Sequence, residues 1–236
     1  MRWLLDRLVR PLGLRVIKKH HADVIYRHHY AGGYAEYRAT QIKYNKQKLS
    51  HVWADKTTLS RIVDDLRAHG LGETGICHGA RNGFEVTWLR EQLGGDIIGT
   101  DISETATEFP HLYVWDFHDA NPDWFGQFDF VYTNSLDQAM DPARALNAWA
   151  NQITPRGRIY IEHTMAHSAT SAGAMDPFGA HPMAMPYLFF IWGKDNFSLV
   201  DILEIEAKDN KYLKAWIFVL TRVGKLPTAP PEILSG

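Results

Sequence analysis

The stretch Thr74–Gly83, TGICHGARNG, decides how this chain is read. Thr74–His78 has the length and apolar content of a short strand, and Gly79 and Gly83 bracket the turn that follows it. Asn82–Leu93 then places Phe84, Trp88, Leu89 and Leu93 on one face at helical spacing. A glycine turn between a strand and a helix lets backbone approach a ligand closely. The free N–H groups of the helix start meet an anionic group there. The same Gly83 also suits tight packing of the helix on the strand.

Outward from this turn the chain alternates. Upstream, Thr58–His69 is an amphipathic helix stopped by Gly70. Downstream come strands at Asp96–Thr100, Leu112–Trp115 and Phe128–Thr133, and a helix at Pro142–Ile153 that Asp141 can cap. Pro155-Arg156-Gly157 reads as a turn into a fifth strand, Arg158–Glu162. Strands alternating with helices make parallel βαβ units, and right-handed crossovers wind them into a doubly wound sheet. Phe197–Ala207 and Tyr212–Val223 instead flank Asp209-Asn210 as a hairpin, so the sheet finishes with an antiparallel ribbon. Between them, residues 164–196 hold three Pro and four Met and read as an irregular lid or substrate loop.

Polar residues stand at the carboxyl ends of consecutive strands, where open α/β sheets bind ligands. Asp101 lies 22 residues past Gly79, a placement that suits a ribose. Asp116-Phe117 follows the third strand and Thr133-Asn134-Ser135 the fourth. On these residues, 72–223 resemble the class I S-adenosylmethionine-dependent methyltransferases. The resemblance implies a Rossmann-like, mostly parallel seven-stranded sheet with an antiparallel last strand beside the fifth. It also implies S-adenosyl-L-methionine as cofactor. His78, Gly79, Ala80, Arg81 and Gly83 would form the methionine turn, Asp101 and Ile102 would take the ribose, Asp116 and Phe117 the adenine, and Asn134 and Ser135 would sit near the sulfonium. Two positions depart from the family pattern: Cys77 stands where an acid is usual, and Arg81 where a glycine is usual. A guanidinium at Arg81 can pair with the methionine carboxylate. A dinucleotide-binding dehydrogenase would want G-x-G-x-x-G here, and the spacing of Gly79 and Gly83 does not supply it.

Transfer to a hydroxyl is helped by a base. Asp137, Glu162 and His163 follow strand ends, and His163 is the expected general base with Asp137 beside it; the alternative is that His163 orients the loop. His163, His167, His181 and Asp176 in or near the lid carry no metal signature, so no metal is expected. A hydroxyl on a small molecule, a glycan or a lipid-linked sugar is the expected acceptor. The altered turn keeps open a non-catalytic methyltransferase-like partner subunit, and the basic arm keeps open RNA.

That arm gives the chain its charge asymmetry. Residues 1–61 hold 13 Lys+Arg against 4 Asp+Glu, and the remainder 12 against 23, within a total of −2. Residues 1–19 set Trp3, Leu4, Leu5, Leu8 and Val9 among Arg2, Arg7, Arg10, Arg15, Lys18 and Lys19. They read either as a helix on the chain's own acidic body or as a segment touching an anionic membrane. Apolar runs fall short of the roughly 18 residues that span a bilayer. One cysteine among 236 residues fits a reducing, cytoplasmic setting. The expected organisation is a basic helical arm or cap over 1–56, whose Tyr26, Tyr30, Tyr34, Tyr37 and Tyr44 are either core residues or a cover over the cofactor, a methyltransferase domain over 57–225 and a tail over 226–236.

Overall fold

In the computed structural model, which describes residues 10–12, 23–209 and 213–225, the alternation becomes a layered α/β structure. Its strands are β1 (Ile25–Arg27), β2 (Thr74–His78), β3 (Asp96–Asp101), β4 (Leu112–Val114), β5 (Phe128–Thr133), β6 (Ile153–Thr164), β7 (Phe178–Ala180), β8 (Phe197–Ile205) and β9 (Ala215–Arg222). Its helices are α1 (Gly33–Gln47), α2 (Lys56–Ala68), α3 (Phe84–Leu93), α4 (Pro142–Gln152) and α5 (Met185–Gly193). Seven strands form one sheet in the order β4-β3-β2-β5-β6-β9-β8. Neighbours from β4 to β6 pair in parallel, and β9 runs antiparallel between β6 and β8. The mostly parallel sheet with its antiparallel C-terminal pair is the architecture expected above. β1 and β7 make a separate two-stranded ribbon.

Both faces of the sheet are buried, which is why its central strands read as nearly continuous apolar runs. Ile76, Val131, Ile159 and Ile161 point to the side of α4 and α5, where Trp149 and Phe189 are fully buried. The alternate residues Cys77, Phe130, Tyr132 and Tyr160 point to the side of α2 and α3, against Leu59, Ile62, Leu66 and Leu89. Asp55 caps α2 by accepting from the Thr58 N–H at 3.0 Å, and Asp141 caps α4 by accepting from that of Arg144 at 3.1 Å.

Three elements differ from the expectation. β6 begins at Ile153, absorbing Pro155–Gly157 into the sheet through a shift in its register with β5, so the fifth strand is much longer than Arg158–Glu162. Residues 164–196 are not an irregular lid throughout: they contain β7 and helix α5. Pro186 sits in the first turn of α5, where its missing N–H costs nothing, and apolar residues on both faces of α5 hide the helical period. The arm over 1–56 is not helical throughout: its described residues include β1, and α1 ends at Gln47 with Tyr37, Gln41 and Asn45 buried.

Candidate functional site

The turn after β2 is built from left-handed backbone. Gly79 has φ +70°, Arg81 +46° and Gly83 +72°. A Cβ on Gly79 would lie 2.7 Å from the Ser135 side chain, so this glycine lets the turn close against the end of β5. A Cβ on Gly83 would lie 2.7 Å from Leu112 Cδ1, so Gly83 serves helix–strand packing. The Ala80 N–H donates to the Thr100 carbonyl at 2.9 Å. The Arg81 N–H donates to Asp101 Oδ2 at 3.1 Å and the Ser103 N–H to Oδ1 at 3.0 Å, which fixes the Asp101 carboxylate against the turn. Burial raises the Asp101 pKa, and these two donors oppose the shift.

His78 belongs to this turn only by its backbone, a correction to its expected place among the ligand contacts. Its ring is buried, stacked on Trp149 at 5.2 Å and bonded to Thr100 Oγ1 and Gln152 Oε1 at 2.8 Å each. Burial lowers its pKa to about 4, so it is a neutral core imidazole. Its carbonyl accepts from Thr133 Oγ1 at 2.9 Å and so ties the turn to β5. Beneath the turn, Glu85 of α3 is buried, and its carboxylate raises the Cys77 thiol further. Burial carries Glu85 to about 7.

Gly79, Asp101, Ile102, Asp116 and Phe117 converge on one pocket, and Gln41, Tyr44 and Asn45 of α1 close its far wall. Asp116 is held from three directions. Tyr34 donates to Oδ2 at 2.5 Å, while the His118 N–H and Nδ1 reach Oδ1 at 2.9 and 2.6 Å. These partners keep its carboxyl down at about 2 despite burial. Phe117 is fixed by Trp149, whose Nε1 donates to the Phe117 carbonyl at 2.9 Å. Gln41 and Asn45 were not singled out for the pocket in the sequence, because that helix lacks an apolar stripe to orient it. In retrospect its buried polar face, Tyr37-Gln41-Asn45, was the signal that it covers a polar site.

A second cleft of about 660 Å³ adjoins this pocket. Lys48, Arg81, Gln138 and Met175 line both. Asn134, Asp137, His167 and Asp176 supply its polar groups, and Trp53 an aromatic wall. Ser135 donates to Asn134 Oδ1 at 3.0 Å, which sets the Asn134 amide at this border. Asp137 is buried, and its Oδ1 finds no hydrogen-bond partner among the described residues. Burial pushes Asp137 up to about 7; burial and the Asp137 charge bring Asp176 to about 7 as well. His167 accepts the Thr164 N–H at Nδ1, 3.2 Å away, which leaves the ring proton on Nε2, 4.0 Å from Asp137 Oδ2.

His163 does not line this cleft. Its Nε2 donates to the Ala180 carbonyl at 2.9 Å, burial lowers it to about 3, and its ring lies against His167 at 5.3 Å. Glu162 is withdrawn too: it accepts from Tyr132 at 2.8 Å and Trp53 at 3.0 Å, and pairs with Lys208. His167 and Asp176 therefore reach the cleft, while His163 and Glu162 stand behind it. No group of three or more potential metal-ligating side chains occurs among the described residues.

No family model and no curated protein matches this sequence. Solved structures do. A Burkholderia thailandensis 1,6-didemethyltoxoflavin N1-methyltransferase, crystallised with its substrate and S-adenosylhomocysteine, is 16% identical. It aligns over 85% of this chain and 94% of its own with a TM-score of 0.63. A Streptomyces coelicolor geranyl diphosphate C-methyltransferase is 12% identical over 79% of this chain and 98% of its own, at 0.58. The putative methyltransferase complexed with the Haloferax volcanii activator Trm112 is 17% identical over 80% and 98%, at 0.57. The fold of this chain is that of the class I S-adenosylmethionine-dependent methyltransferases.

Proposed function

We propose that this chain is an S-adenosyl-L-methionine-dependent methyltransferase that methylates a hydroxyl of a small molecule, glycan or lipid-linked sugar, with Asp137 as general base. The observation that carries the reading is Asp137, a buried carboxylate with an unpartnered Oδ1 among the described residues, lining a cleft that shares four residues with the pocket of Gly79 and Asp101. The side chains lining that pocket suit the cofactor's parts. Gly79 lets the turn close against Ser135 where a Cβ could not fit, and Asp101 offers a fixed carboxylate to ribose hydroxyls. Asp116 and Phe117 suit the adenine, Asn134 and Ser135 the border with the acceptor, and Arg81 the methionine carboxylate. Bound there, the cofactor supplies an electrophilic methyl group.

The protein's own work is then positioning and proton removal. Asp137, raised to about 7, accepts the acceptor's hydroxyl proton near neutral pH. His167 Nε2–H steadies the resulting charge distribution from the Oδ2 side, and His163, fixed to Ala180, backs the His167 ring. The fold also serves N- and C-methyl transfer in the neighbours named above; with a hydroxyl acceptor, Asp137 would take the proton that leaves as the methyl arrives. Residues 1–19, with their basic and apolar mixture, suit peripheral contact with the inner face of a membrane, and a cytoplasmic setting follows from that reading. RNA is the less favoured acceptor.

A non-catalytic partner subunit is the second reading, favoured by the strained, non-glycine Arg81 in the turn. Titration calorimetry with S-adenosylmethionine separates the two. Micromolar binding, with S-adenosylhomocysteine released in the presence of a sugar acceptor, supports the enzyme; no heat at millimolar cofactor supports the partner subunit.

A further inference from the structure

Lys48 stands at the C-terminal cap of α1 and continues the buried face of that helix. Tyr37, Gln41 and Asn45 are spaced four residues apart along the face, and Lys48 follows three residues later. Lys46 makes the contrast. It turns outward and pairs with Glu104, both side chains half exposed or more. Lys48 turns inward and is half-buried. Among the described residues its ammonium has one hydrogen-bond partner, Met175 Sδ at 2.7 Å. An ammonium carries three donors, and a thioether is a weak, uncharged acceptor. A cation drawn away from water ordinarily has a charged partner.

The groups around Lys48 do not supply that partner. Asp137 and Asp176 line the same cleft, and the charges of Lys48 and Arg81 act to lower both carboxyls. Neither acid forms an ion pair with Lys48 among the described residues. Burial still holds both at about 7, so near neutral pH they carry less than the two negative charges that would balance Lys48 and Arg81. Arg81 has its own place: its guanidinium donates to the His51 carbonyl at 3.1 Å, and the proposed function sets it against the methionine carboxylate. A sulfonium at the border of the two pockets adds to the positive excess. Lys48 lines both pockets and is the cation left to meet an incoming anion. Met175 can yield its place. Gln41 Nε2 donates to the Met175 carbonyl at 3.0 Å, which holds the backbone while the unbranched side chain keeps its rotational freedom.

We propose that Lys48 is the specificity residue of the acceptor cleft: it takes an anionic group, a carboxylate or a phosphate, carried by the molecule whose hydroxyl reaches Asp137. This rests on the methyltransferase reading with Asp137 as base. The anionic group displaces the Met175 thioether and accepts a charge-assisted hydrogen bond from Lys48 in its place. A neutral hydroxyl compound leaves the ammonium with its weak partner and binds less well.

D-glucose, D-glucuronate and D-glucose 6-phosphate share one ring and differ at one carbon, so they isolate the charge. Each is titrated by NMR into the full chain saturated with S-adenosylhomocysteine. Wild type is expected to bind at least one of the anionic sugars about tenfold or more tighter than glucose. Lys48→Met keeps an unbranched side chain without the charge, and the anionic advantage should shrink to about twofold or less. Lys48→Arg should restore it, which a merely structural role would not do. Circular dichroism reports the folding of both variants. The tighter of the two anionic sugars tells a carboxylate acceptor from a phosphorylated one. Equal affinity of wild type for the three sugars overturns the proposal, as does an anionic advantage that survives in Lys48→Met. Calorimetry with S-adenosylmethionine should give the same affinity for wild type and Lys48→Met; a loss confined to the cofactor would show that Lys48 holds the methionine carboxylate, and would overturn the proposal too. Absence of cofactor binding by wild type is instead the failure of the methyltransferase reading, and it is read in a separate titration.

Discussion

Asp137 has a carboxyl raised to about 7 by burial, and a base must be deprotonated to act. Its rate contribution therefore grows as pH rises through neutrality. Asp137 and Asp176 interact, so the titration seen belongs to the pair. Asp137→Asn should lower kcat by about 10²–10⁴ and abolish that rise; a pH–rate profile of S-adenosylhomocysteine release checks it. Stability runs the other way. A carboxyl whose folded pKa lies above its unfolded value favours the folded state while protonated, so Asp137 costs stability as pH climbs from about 4 to about 7. The Asn variant should flatten that slope in thermal melts.

Arg81 is the other residue on which the site turns. With φ +46° it occupies backbone that suits glycine, at a cost of roughly 1–2 kcal/mol. Arg81→Ala keeps the strain and removes the guanidinium. It should weaken S-adenosylmethionine about tenfold and leave adenosine unchanged, because adenosine has no carboxylate to pair. Calorimetry with both ligands measures this. Asp101, Asp116 and Phe117 were legible in the sequence because strand ends fix where such side chains meet. His163 and His167 were harder to tell apart: they lie four residues apart, and only the path of β7, whose Ala180 carbonyl captures the His163 ring, decides which one faces the cleft.

Among elements, legibility followed periodicity. β2, β3 and β5 stood out because Gly and Asp bound short apolar runs, and α2 because Leu59, Ile62, Val63 and Leu66 keep one face. α5 was lost because it is apolar on both sides, and β1–β7 because a three-residue strand has no period to read. Close approach of elements leaves a sharper trace. Gly75 of β2 pairs with Phe130 of β5, and a Cβ on Gly75 would fall 2.3 Å from the Phe130 ring. Gly75→Ala should cost about 1–3 kcal/mol by overpacking. Adding Phe130→Leu should recover part of that loss, a coupling that a double-mutant cycle in denaturant would register. Additive losses would show that the ring does not sit over the glycine.

At the scale of the molecule, one buried cluster joins segments far apart in sequence. Lys208, 2% exposed, pairs with Asp55 at 2.6 Å and with Glu162, which also accepts from Trp53 and Tyr132. The arm, β5, β6 and the β8–β9 connection are held by this single ammonium, and Trp53 carries the link to the acceptor cleft. Nothing in the sequence marks Lys208, because a lone lysine in a polar connection reads as solvated surface. Two buried carboxylates without their cation are expensive. Lys208→Met should therefore cost about 3–5 kcal/mol, a fall in Tm of roughly 10 °C for a chain this long. In that variant burial raises Glu162 with the lysine's opposing charge gone and the Tyr132 hydrogen bond left against it, so its protonated form favours folding and the lost stability returns on acidification. Thermal melts of wild type and Lys208→Met at pH 5 and pH 8 should differ least at pH 5. Adding Glu162→Gln to the variant should narrow the gap at pH 8, since it removes a charge the interior can no longer balance; a gap independent of pH would mean the lysine acts through its packing alone.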